Sequence, residues 1–185
     1  IMIKSNQIVP GMIISIGKQI FRVESAVMVT VSRGVPFVKT KLKDLMNDTL
    51  VEKNFKLDQE VEEVKLVERQ IEYLYMEGKQ HLFLDIEELN QVFIDQKIIE
   101  DKVKYLKEGV QLKAMFYGDQ IYSVELPQFL ELMVIKSDDG EKVSITSTTK
   151  VAVLETGARV EVPLFVESGD IVKVDTSTSE FVQRV

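Results

Sequence analysis

The chain has 185 residues, enough for one large domain or two to three small ones, and its 45% hydrophobic and 29% charged content describes an ordinary soluble globular protein. It has no cysteine, which excludes disulfides, thiol catalysis and zinc–thiolate sites, and a single histidine, His81, which excludes histidine triads and multi-histidine metal centres. The net charge of −7 argues against a general coat for nucleic acid, but the charge is uneven. Residues 1–57 hold nine Lys/Arg against four Asp/Glu, residues 58–128 hold eight against sixteen, and residues 129–185 hold six against ten. One basic end on an acidic body favours a partner that is anionic in one place only.

In chain order, Val9-Pro10-Gly11-Met12 is a turn into a strand at Ile13–Ile16, and Gly17-Lys18 turns the chain into Gln19–Val23. Then come two apolar-rich, β-branched runs, from Val27 to Val31 and from Val35 to Lys43, around a Ser32-Arg33-Gly34 centre. This reads as a β-hairpin with a tight tip, where Gly34 supplies a positive φ and Pro36 sits at a strand start. The tip carries one cation, Arg33, and the returning arm places Lys39, Lys41 and Lys43 on a single face because side chains alternate with period two. A guanidinium above a lysine stripe suits a phosphate-rich target, although strand lysines also serve simply to guard an edge. A further strand at Thr49–Phe55 completes a small SH3-like barrel, and residues 57–64 lead out of it.

A second group alternates at Val67–Met76, turns at Glu77-Gly78-Lys79, and continues at His81–Asp85, Val110–Ala114 and Ile121–Leu126. The stretch from Asp95 to Lys104 reads as one helix capped by Asp95, with Ile98, Ile99 and Val103 inward. Strands interrupted by one helix are the pattern of an OB-fold barrel. A third barrel-sized group has strands at Leu132–Ile135, Ala152–Leu154, Arg159–Val162, Ile171–Val174 and Glu180–Gln183. The expected domains are therefore 1–64, 65–128 and 129–185, all-β and abutting without Gly/Ser-rich linkers.

The search for chemistry finds little else. His81, beside Leu82 and Phe83, reads as structural, and the paired carboxylates Glu87-Glu88, Glu100-Asp101 and Asp138-Asp139 read as solvated charge. Tyr73, Tyr75 and Phe83 form a candidate stacking platform, but the acidity of their module favours core packing. No uncharged apolar run reaches the ~18 residues of a spanning helix, so neither a membrane span nor a signal peptide is expected, and Ile1 ahead of Met2 is set aside. The reading is of a cytoplasmic protein that is not an enzyme, with no catalytic residue, metal or cofactor.

The run from Lys150 to Thr176, including Leu154-Glu155-Thr156-Gly157-Ala158, Val162-Pro163-Leu164-Phe165-Val166 and Gly169-Asp170-Ile171-Val172-Lys173-Val174-Asp175, closely resembles the signature of bacterial translation elongation factor P. Arg69-x3-Tyr73-Leu74-Tyr75, Leu106-Lys107-Glu108-Gly109 and Val124-Glu125-Leu126-Pro127 resemble that family's middle barrel, and Phe37-x3-Lys41-Leu42 with Val51-Glu52-Lys53-Asn54-Phe55 its first. The resemblance implies an SH3-like (KOW-type) barrel followed by two OB-fold barrels in an L-shaped, tRNA-like arrangement. It also implies a monomer that binds the ribosome and its rRNA between the P and E sites. There such a factor stimulates peptide-bond formation on peptidyl-tRNA stalled at polyproline-type sequences, by positioning the CCA end.

By that alignment Arg33, with Ser32 and Gly34 beside it, is the loop tip that enters the peptidyl-transferase centre and a substrate for a modifying enzyme. Lys39, Lys41, Lys43 and Arg184 become candidate RNA contacts. The sequence departs from the family where Val31-Ser32 replaces Pro-Gly, where Val143-Ser144-Ile145 replaces a Gly-Asp-Thr loop, and where Phe181-x-x-Arg184 replaces Tyr-x-x-Arg. These departures describe a divergent paralogue of the arginine-tip type. Two alternatives stay open from the residues: a stand-alone OB-fold protein binding single-stranded RNA without ribosome function, and a structural adaptor recognised through sheet edges.

Overall fold

The structure is a computed structural model and describes residues 1–137 and 148–185. Its strands form three antiparallel sheets that follow one another along the chain. The first contains β1 (Met2–Lys4), β2 (Ile13–Ile16), β3 (Gln19–Val29), β4 (Phe37–Asp44), β5 (Leu50–Lys56) and β6 (Glu60–Glu63), in the order β1-β6-β2-β3-β4-β5. Period-two alternation turns Val38, Thr40 and Leu42 inward, where they join Ile14, Phe21, Val23, Phe55 and Val61. The buried Thr40 hydroxyl is satisfied by donating to the Lys53 carbonyl at 2.7 Å.

The expectation that residues 57–64 leave the barrel is corrected here. Residues Glu60–Glu63 pair with Met2–Lys4 and with β2, closing the sheet through a long-range contact that a single buried apolar residue, Val61, anchors.

The second sheet holds β7 (Val67–Glu77), β8 (Gln80–Asp85), β9 (Asn90–Asp95), β10 (Gln111–Tyr117) and β11 (Gln120–Glu125), in the order β11-β10-β7-β8-β9. Asp85, fully buried, receives the Arg69 guanidinium at 2.8 Å and the Glu87 and Glu88 amides, so its charge is compensated. The single helix expected over Asp95–Lys104 is instead α1 (Gln96–Ile99), capped by Asp95 as expected, and a separate 3₁₀ turn at Val103–Tyr105. The amides of Lys102, Tyr105 and Leu106 each bond three residues back, which tightens the chain. The buried anchors are Ile99 and Tyr105, too far round a regular helix to share one face. Burying both requires the break.

The third sheet comprises β12 (Phe129–Ser137), β13 (Thr149–Leu154), β14 (Arg159–Pro163), β15 (Ile171–Asp175) and β16 (Glu180–Arg184), in the order β14-β13-β12-β15-β16. Leu132, Val134, Leu154, Val162, Val172 and Val174 fill its core, and Tyr105 from the 3₁₀ turn joins them. Its hydroxyl donates to Ser179 Oγ at 2.7 Å. Just outside, Lys107 Nζ lies 2.8 Å from Glu155 Oε1, which also accepts the Met133 amide at 3.0 Å.

The described residues group into two compact units, residues 1–68 with 115–123, and residues 69–114 with 124–185. Among them no helix is long and apolar enough to cross a membrane.

Candidate nucleic-acid interface

The β3–β4 ladder runs from Phe21↔Asp44 to Val29↔Phe37, with a bulge between Val23 and Ser25. The outer end of β3 is open, with Val27 and Met28 more than half exposed, while Val38 opposite Met28 on β4 still belongs to the core. Because β5 pairs with β4 as far as Phe37, only the loop beyond Val29 and Phe37 extends past the three-stranded sheet.

The tip is not the tight turn the sequence suggests. The ladder stops at Val29↔Phe37 and residues 30–36 form an open loop. Pro36 has no N–H with which to extend it. Gly34 adopts φ +155°, and a Cβ there would meet Val31 Cγ2 at 2.9 Å, so glycine alone holds this loop path without displacing Val31. Ser32, Arg33 and Gly34 are all exposed at the far end of the loop. Among the described residues no carboxylate lies within ion-pair distance of Arg33.

Lys39, Lys41 and Lys43 share one face of β4, as the alternation requires, but they are not equivalent. Lys39 and Lys41 are exposed and carry no ion pair among the described residues. Lys43 is half-buried and held 3.1 Å from Asp48, which reaches it from the following turn at φ +63°. Sequence reasoning missed Lys56, whose register opposite Phe37 sets it on the same face, diagonal to Lys39. The period-two count along Leu50, Glu52, Asn54 and Lys56 was the available signal. Glu52 lies opposite Lys41 in register, so the open positive charge is concentrated toward the tip.

Arg184 lies in the other compact unit and is already engaged. Its guanidinium stacks over the Phe165 ring at 4.9 Å, and its Nη1 sits 3.7 Å from an Asp170 carboxylate oxygen. Residues Val143-Ser144-Ile145 lie outside the described residues. His81 is 1% exposed on β8, with Nδ1 3.3 Å from the Tyr73 hydroxyl and its pKa pushed down by burial, as befits a structural residue. Tyr73 and Phe83 pack edge-on at 5.2 Å, whereas Tyr75, past a bulge in β7, is 54% exposed. The core packing favoured for these three aromatics thus holds for Phe83 and in part for Tyr73, but not for Tyr75.

A cationic hairpin on a small β-barrel, followed by two five-stranded β-sheets, defines a class of modular all-β protein with one basic end on an acidic body. Comparison with known proteins makes the family specific. The family models for the elongation factor P KOW-like domain, OB domain and C-terminal domain match residues 4–61, 66–124 and 130–184. The chain is 55% identical over 184 residues to elongation factor P 1 of Protochlamydia amoebophila, covering 100% of each. It is 43% identical to elongation factor P 1 of Chlamydia trachomatis and 36% identical to elongation factor P of Caldanaerobacter subterraneus, each over 185 residues and 100% of both chains.

Among solved structures, a translation initiation factor eIF-5A family protein from Naegleria fowleri aligns with TM-score 0.54 at 9% identity, covering 68% of this chain and 98% of that one. Eukaryotic translation initiation factor 5A from Methanococcus jannaschii aligns at 0.52 and 11%, covering 69% and 92%. Those two likenesses concern the fold alone. The chain belongs to the elongation factor P family, and it is a translation elongation factor.

Proposed function

We propose that this factor acts on the ribosome between the P and E sites, where the β3–β4 hairpin delivers Arg33 to the peptidyl-transferase centre and steadies the CCA end of a stalled peptidyl-tRNA. The reading rests chiefly on one observation: Arg33 stands exposed in the loop beyond the end of the β3–β4 ladder, with no acidic partner among the described residues. A guanidinium stays protonated at any physiological pH and takes no part in proton transfer, so its contribution is orientation of the reacting groups rather than acid–base catalysis. The factor therefore promotes a reaction that belongs to the ribosome and is itself no enzyme. Lys39 and Lys41 would hold phosphates behind the tip and set register, with Lys43 weaker because Asp48 shares its charge. Ser32 and Gly34 shape the loop on which a modifying enzyme would act at Arg33. Arg184 would reach RNA only by exchanging its contacts with Phe165 and Asp170. The functional domains are taken as residues 1–64, 65–128 and 129–185, in line with where the three sheets begin and end.

The test is a polyproline reporter translated with purified factor. Arg33→Ala is expected to abolish its stimulation of the stalled reporter while changing unfolding free energy by less than about 0.5 kcal/mol, as for an exposed site. Full stimulation by a folded Arg33→Ala protein would overturn the assignment.

A further inference from the structure

Away from the hairpin, the outer face of the second sheet carries two aromatic rings that the chain leaves open. Tyr75 and Phe93 both lie opposite Leu82 in register, one on each side, so all three side chains share a face. The rings are 54% and 50% exposed while Leu82 between them is 1% exposed. Neighbouring strands are about 4.8 Å apart, so the two ring-bearing strands stand roughly 10 Å apart, with Leu82 covered between them and the ring faces left as the exposed apolar surface. Acidic residues bound it at both ends. The next rung one way is Glu77↔Gln80↔Asp95, and the other way it is Glu72↔Leu84↔Gln91. The nearest cations along the chain, Lys79 and Lys97, lie beyond the first of these rungs, in the β7–β8 turn and on α1.

The third sheet offers an internal contrast. Its exposed rings are capped by cations of the same chain, Phe129 by Lys173 at 4.6 Å and Phe165 by Arg184 at 4.9 Å. Among the described residues no cation stacks on Tyr75 or Phe93. The geometry points to this face as a docking surface for an arginine- and lysine-rich protein segment, its guanidinium groups stacking on Tyr75 and Phe93 and pairing with Glu72, Glu77 and Asp95. An aromatic face attracts a cation through its quadrupole, and a planar guanidinium adds hydrogen bonds to flanking carboxylates. The same carboxylates repel phosphate, so single-stranded RNA is disfavoured although OB-fold sheets often bind it.

The test uses the full chain and two labelled probes, a nine-residue peptide alternating arginine and glycine and a twelve-nucleotide oligouridine, followed by fluorescence anisotropy at low salt. The Tyr75→Leu/Phe93→Leu double variant keeps Leu82 covered and the net charge unchanged. It is expected to bind the peptide at least about tenfold more weakly than wild type, with circular dichroism unaltered. Peptide affinity equal to wild type would show general attraction to an acidic protein and overturn the assignment, as would oligouridine binding that the double variant abolishes. Should the double variant unfold, Glu77→Gln decides. About threefold weaker peptide binding supports the face, and no change rejects it.

Discussion

The β3–β4 hairpin and the 3₁₀ turn at Val103–Tyr105 are both excursions from their sheets, and they end in opposite ways. The hairpin ends in solvent, with Arg33 exposed and Val35 77% exposed. The turn ends in the core of the third sheet, where Tyr105 is 2% exposed and its hydroxyl is bonded to Ser179. One excursion leaves its charge unmatched and available, and the other buries its ring, satisfies its hydroxyl and contributes to cohesion. Function and stability are therefore expected to separate cleanly under mutation.

The largest stability effect belongs to the buried end. Tyr105→Ala removes a ring from a filled core and is expected to cost about 3–5 kcal/mol. Tyr105→Phe, which keeps the ring and loses only the bond to Ser179, should cost about 0.5–1.5 kcal/mol. Urea unfolding of the two variants checks the ratio, and a Tyr105→Ala cost below 1 kcal/mol would dissolve the contrast with the hairpin.

A smaller and pH-dependent effect sits beside it at Lys107 and Glu155. The hydrogen bond from Lys107, then that from the Met133 amide, holds the Glu155 carboxyl below its ordinary value of 4.5. A carboxyl depressed in the folded state adds stability that is fully present above its unfolded value and is lost as pH falls through the folded one. Because Lys107 is 42% exposed, solvent screening limits the pair to less than about 1 kcal/mol. Unfolding measured across acid pH in wild type and Glu155→Gln should give curves that are separated above the ordinary value of 4.5 and converge as pH falls through the lowered folded value. Parallel curves would remove the pair from the account.

Much of this was legible in the sequence, for a physical reason in each case. Alternation set the inward faces of β4 and β15, and Gly17, Gly78 and Gly118 marked the β2–β3, β7–β8 and β10–β11 turns because each takes a positive φ. What escaped was short or non-local. Residues 60–63 hold one apolar side chain, too few to show a period, and their partners lie nearly the whole module away in sequence. The capture of Lys43 depends on Asp48 at positive φ, a turn geometry that no spacing rule announces. The division of Tyr73 from Tyr75 depends on a bulge that shifts the ladder by one residue. The cations of the hairpin could be found in sequence, but which of them are free could not.

A single methyl at Gly34 gives the sharpest test of the tip. Gly34→Ala adds a single methyl at φ +155°, 2.9 Å from Val31 Cγ2, in a loop without core beneath it. The Val31 side chain is 40% exposed and free to turn away, so the cost is set by the backbone, about 1–3 kcal/mol if the loop held its φ and less as it relaxes. The backbone is less accommodating, because an L-residue avoids this φ and would redraw the path of the loop between Val31 and Pro36. If Arg33 works by position, the variant keeps its charge and fold yet loses most stimulation of the stalled reporter. If charge near the site were sufficient, Gly34→Ala would stimulate as wild type does, and the hairpin would be an electrostatic anchor instead of a positioning device. Reporter stimulation and urea unfolding of that one variant, set beside Arg33→Ala, separate the two.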